Sequence, residues 1–128
     1  RGRSGCGKTT LIRLLLGLDI PDKGKIEGIS DRKISAVFQE DRLCENLSAA
    51  SNIRLVCTKT ISDRELEEAY KAVALTEVWQ KPVRELSGGM RRRVSILRAL
   101  LADSDCVIMD EPLRGLDEKP EQKQLIIF

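Results

Sequence analysis

Histidine is absent from the 128-residue sequence, and aromatic residues make up only 3% of it. Four cysteines are present, Cys6, Cys44, Cys57 and Cys106, but none stands in CxxC spacing. A zinc site therefore has almost no candidate ligands, and the cysteine pattern suits a reducing cytosol. So few aromatics leave little on which nucleobases could stack. An excess of one charge is missing too: 22 basic and 20 acidic residues give a formal +2, a mixed surface and not a nucleic-acid-seeking one. Apolar runs such as "LIRLLLGL" and "LIIF" fall far short of the roughly 20 residues needed to cross a bilayer. Neither an initiator methionine nor a charged-then-apolar leader opens the sequence, and the chain is expected to be a piece of a longer protein.

With 41% hydrophobic residues, the chain can still bury one core. Its opening stretch, "GRSGCGKTT", is too rich in glycine for a strand or helix interior, where glycine weakens either element. It reads as a loop shaped around a ligand. A dense leucine run over 9–18, closed by Gly17 and "DIPDKG", predicts that the loop feeds the N-terminus of a helix. "KIEGI" and "ISAVF" read as two short strands, the second followed at once by Gln39. Residues 48–82 turn helical: Ser62 and Glu65 have capping-box spacing, and Leu66, Ala69, Tyr70, Val73 and Ala74 form one apolar stripe. A further helix enters through the glycines of "LSGGM", with Met90, Val94, Leu97 and Leu101 inward and Arg91, Arg92 and Arg93 read as a solvated face. "CVIM" at 106–109 has the continuous apolar character of a strand buried on both sides, ending at Asp110 and Glu111. A last helix is expected from near Glu118.

Gly2, Gly7, Lys8 and Thr9 fit G-x-x-x-x-G-K-[ST]. In such a loop consecutive backbone N–H groups turn inward around phosphates, and the following helix adds its positive end. The lysine reaches the β- and γ-phosphates, and the threonine hydroxyl is offered to Mg²⁺. Gly2, Ser4, Gly5, Cys6, Gly7, Lys8, Thr9 and Thr10 are thus candidate nucleotide-binding residues. Paired acids after a buried strand supply what hydrolysis needs: Asp110 to hold Mg²⁺ and Glu111 to orient and polarise the attacking water. Alone, two such acids are more often a solvated turn; it is the glycine loop that makes them candidates.

"GRSGCGKTT", "LSGGM", "CVIMDEP" and "GLD", in that order, resemble the Walker A, signature, Walker B and D-loop motifs of ABC transporter ATP-binding subunits. Met90 stands where that family usually has glutamine. The resemblance implies a P-loop α/β fold, mainly parallel sheet flanked by helices, with core parts at 1–40 and 87–128 and a helical subdomain at about 41–86. It implies two ATPase subunits packed head to tail, so that ATP held by Lys8 and Thr9 of one is touched by Ser87, Gly88 and Gly89 of the other. Gln39 takes the place of the Q-loop glutamine, which senses Mg²⁺ and the attacking water, and Asp117 that of the D-loop aspartate. The turn "GLDIPDKGKI" and "VFQEDRL" resemble the importer branch, particularly the nitrate, sulfonate and taurine type ATPases. Permease subunits and a substrate-binding protein are the implied partners, without nucleic acid, and the implied location is the cytoplasmic face of the membrane. The adenine-stacking aromatic and the switch histidine of that family have no counterpart in this sequence. Soluble ABC-type ATPases of DNA repair separate their motifs by long coiled coils. Here Lys8 and Ser87 are 79 positions apart without sustained heptads. A ribosome-associated ABC protein, which normally carries two cassettes, and an inactive remnant are the other readings.

Overall fold

The structure, a computed structural model, describes residues 6–29 and 31–112. Gly2, Ser4, Gly5, Asp117 and the helix expected near Glu118 lie outside the described residues. The architecture is mixed α/β, in the order α1 (Lys8–Leu15), β1 (Ile34–Val37), α2 (Ala49–Arg54), α3 (Asp63–Ala72), α4 (Gly88–Leu101) and β2 (Cys106–Met109).

β1 and β2 pair in parallel, with Ile34 opposite Cys106 and Val37 opposite Met109. Both strands therefore end at the same edge, which brings Gln39 and the Asp110–Glu111 pair to one side of the sheet although some seventy positions of chain separate them. Among the described residues "KIEGI" is not a strand. Gly24 and Gly28 take left-handed φ of 86° and 85° on either side of Ile26, and an extended run without a neighbour to pair with gains no ladder bonds.

Serine begins each of the three later helices. Ser48 accepts from the Ser51 N–H, Ser87 from the Met90 N–H, and Ser62 forms a reciprocal capping box with Glu65, so orphan N–H groups are satisfied locally. The α3 stripe is shorter than its periodicity suggests. Leu66 and Tyr70 are buried, but the helix closes at Ala72 and Ala74 leaves it with φ of 56°. Likewise α1 gives way at Leu16, short of the expected 18.

The core has two parts, and α4 serves both. Val94 and Leu97 join Ala49, Ile53, Leu66, Tyr70 and Val83 in the larger cluster, while Ala99, with Ile96 alongside, packs on Val37, Val107 and Met109 of the sheet. Two buried faces on one helix leave little of it for solvent. This overturns the solvated-face expectation for the arginine run: Arg92 is only 4% exposed, and Arg91, which pairs with Glu45, is largely withdrawn from water while Glu45 stays exposed. The physical reason is periodicity, since Arg92, Ser95, Ile96 and Ala99 lie at i, i+3, i+4 and i+7 and form a second inward stripe.

Candidate nucleotide site

α1 opens at Lys8 directly after Gly7, which sits at the N-cap position with φ of 87° and makes no side-chain cap bond. That left-handed conformation is open to glycine at no steric penalty, and the first-turn N–H groups of α1 point out of the helix start. Together with the helix dipole they form an anion-seeking end. Thr9 and Thr10 are exposed there, and the Lys8 Nζ lies 4.0 Å from the exposed Cys6 thiol.

The Thr9 hydroxyl donates to the Asp110 carboxylate at 2.7 Å. These two residues, 101 positions apart, are two of the three expected as metal ligands, and the third, Gln39, makes no hydrogen bond to either among the described residues. Asp110 is 5% exposed and its N–H donates to the Val37 carbonyl at 2.8 Å, which continues the β-ladder one residue past Met109. A hydroxyl oxygen and a carboxylate oxygen held side by side at the start of α1 are oxygen donors of the kind Mg²⁺ takes, with water completing the shell. The residues present fit the ion.

Glu111 follows, exposed, with φ of 47°. A non-glycine residue in this region carries a local cost of order 1–3 kcal/mol and persists where its surroundings determine it. Gln39 is exposed on the neighbouring strand end. Ser87 and Gly88 are exposed at the start of α4, and Gly89 is half-buried. Among the described residues no hydrogen bond joins Ser87 or Gly89 to α1 or to Asp110, so the contact the chain makes is between Thr9 and Asp110, without Ser87 or Gly89.

What the sequence reading missed is Arg92. Its guanidinium donates to the carbonyls of Phe38, Gln39, Asp110, Glu111 and Pro112. Arg98, six residues on, donates to the carbonyls of Asp41 and Arg42 at 3.1 and 2.8 Å. Burial lowers Arg98 from its ordinary value, but arginine keeps its charge throughout the accessible pH range. The inward spacing of Ser95, Ile96 and Ala99 was the signal that could have marked Arg92 as buried.

No group of three or more histidine, cysteine or acidic residues that could hold a metal occurs among the described residues, and no helix among them is long and apolar enough to cross a membrane.

The family model described as ABC transporter matches residues 1–114. The spermidine/putrescine import ATP-binding protein PotA of Pseudomonas aeruginosa is 38% identical over 139 aligned positions, which cover 98% of this chain and 38% of that protein. The chain thus spans well under half the length of this relative. In a crystal structure of the complex of archaeal ribosomal stalk protein aP1 and archaeal ribosome recycling factor aABCE1, one chain superposes with a TM-score of 0.75 at 32% identity, covering 91% of this chain and 22% of that one. An ABC transporter in an inward-facing conformation gives 0.64 at 29% identity, covering 91% of this chain and 50% of that one.

Proposed function

The chain belongs to the ABC transporter family, in its ATP-binding domain, and from that premise we propose that it hydrolyses MgATP to drive import of a solute through separate membrane subunits. The observation that carries this reading is the 2.7 Å bond between Thr9 and Asp110. It joins the residue after the candidate loop's lysine to the first of the paired acids, as a site that shares one metal ion between loop and strand end requires.

In this reading the first-turn N–H groups of α1 and the Lys8 ammonium hold the β- and γ-phosphates. Thr9 and Asp110, with Gln39 completing the set, hold Mg²⁺, which when bound offsets the phosphate charge. Glu111 accepts the proton of the attacking water as the water oxygen bonds to the γ-phosphorus and ADP departs with the bridging oxygen. Ser87, Gly88 and Gly89 face the nucleotide of a second, head-to-tail subunit, as does Asp117, and residues 41–86 act as a helical subdomain toward the permease. Import is favoured by the relation to PotA, which extends over nearly the whole chain. The similarity to a chain of the ribosome recycling complex covers 22% of that chain and is accounted for by a shared ATPase core. Which solute moves is a property of permease and binding protein, and the place of work is the cytoplasmic face of the membrane.

The test is Glu111→Gln in the intact protein. ATP binding is expected to survive while steady-state hydrolysis falls by about 10²- to 10⁴-fold. Unchanged hydrolysis would remove the general-base role from Glu111, and a wild-type protein that does not turn over MgATP would refute the ATPase reading.

A further inference from the structure

We propose that Arg92 is a positioning residue of this ATPase site. By gripping five main-chain carbonyls it sets the backbone that carries Gln39 and Glu111, and it ties both to the helix that begins at Ser87. The inference rests on the ATPase reading above and deepens it.

A guanidinium offers five N–H donors in one plane, and here the five meet five carbonyls. Nε donates to Pro112 at 2.9 Å, one terminal nitrogen to Phe38 and Gln39, and the other to Asp110 at 3.0 Å and Glu111 at 2.8 Å. Asp41 brings a carboxylate oxygen to 3.6 Å and supplies the opposite charge. The position of these carbonyls in the fold gives the arrangement its meaning. The register of β1 and β2 ends at Val37 and Met109, so the carbonyls gripped by Arg92 belong to the residues where strand pairing stops and the two site segments begin. One side chain continues the work of the ladder across both.

Glu111 needs such a hold, because its backbone is left-handed and the direction of its carbonyl follows from that conformation. Arg92 itself stands five residues into α4 from Ser87, about 7.5 Å along the axis at about 1.5 Å per residue. A shift of the signature end of the helix is therefore passed to the Gln39 and Glu111 segments together. Lysine keeps the charge but has three donors on a tetrahedral nitrogen, and glutamine has two donors; neither spans five carbonyls in a plane.

Arg92→Lys and Arg92→Gln are to be made in the intact protein, with kcat and KM measured for MgATP, nucleotide affinity measured with a fluorescent ATP analogue, and folding followed by thermal unfolding. The expected result is a fall in kcat of about tenfold or more in both variants, with KM and affinity within about twofold of wild type and no rescue by lysine. Folded variants with wild-type kcat would overturn the proposal, as would kcat and affinity falling in parallel with the folded fraction. Should both variants fail to fold, Asp41→Asn decides: a fall in kcat of about threefold at constant KM upholds the clamp, and unchanged kcat overturns it. Inactive wild type would overturn the ATPase reading itself, whereas active wild type with indifferent Arg92 and Asp41 variants overturns the clamp alone.

Discussion

Replacing Tyr70 by phenylalanine should make the protein more stable. The ring is fully buried in the larger core cluster with Leu66, Ile53 and Val83, yet its hydroxyl oxygen has no hydrogen-bond partner among the described residues. An unpartnered buried hydroxyl costs roughly 1–3 kcal/mol in protein mutational data. Phenylalanine keeps the ring and removes the oxygen, leaving a void of about 10 Å³ whose cost at about 24 cal/mol per Å³ is only about 0.2 kcal/mol. The net gain is then about 1–3 kcal/mol, which at roughly 3–5 °C per kcal/mol is readable as a rise in unfolding midpoint. The same desolvation gives a second signature. Burial pushes the Tyr70 phenol well above its ordinary value, so on alkaline titration the unfolded state loses this proton first, near pH 10. Wild-type stability falls as pH rises beyond that point, and Tyr70→Phe escapes this part of the loss. Urea unfolding of both proteins at neutral pH and at pH 10–11 is the assay. A variant destabilised by more than about 1 kcal/mol would show that the hydroxyl is satisfied in solution and that the reasoning is wrong.

Leu66 is fully buried in the same cluster, and Leu66→Ala should cost about 2–5 kcal/mol by urea unfolding, toward the upper end if the surrounding rings do not collapse into the gap. Ser62→Ala removes the α3 capping box, and its urea midpoint should lie below wild type at pH 7. Hydrogen bonds from the Ser62 side chain and then its backbone N–H lower the Glu65 carboxyl from its ordinary value. Because the folded-state pKa is depressed, this contribution is present above about pH 4 and is lost as pH falls below it. The difference between Ser62→Ala and wild type should accordingly narrow at pH 3.

Most of the candidate site was legible because its chemistry is local. The phosphate loop needs glycines, a lysine and a hydroxyl within eight consecutive positions, and the paired acids directly follow a four-residue apolar strand. Caps were equally readable, since Ser62 and Glu65 act over three residues. The misreadings arose where the partner was distant. "KIEGI" has strand-like residues, but whether it becomes a strand depends on a neighbour that its own composition cannot supply. Ala74 fits the helical period and still leaves the helix, because the chain turns there to bring Leu75 back into the core. Arg92 has the composition of a surface residue.

The sequence by itself determined a glycine-rich stretch leading into a helix start, a serine cap at Ser87 and two acids at a strand end, because each is specified by neighbours within a few residues. Tertiary structure alone decided that Thr9 reaches Asp110 across 101 positions, that Gln39 and Glu111 share one sheet edge, and that the middle of three consecutive arginines turns inward. Those outcomes depend on parallel strand pairing and on a helix buried along two faces. Both arise only when segments far apart in sequence exclude water from the same core, and no local pattern records which segments those will be.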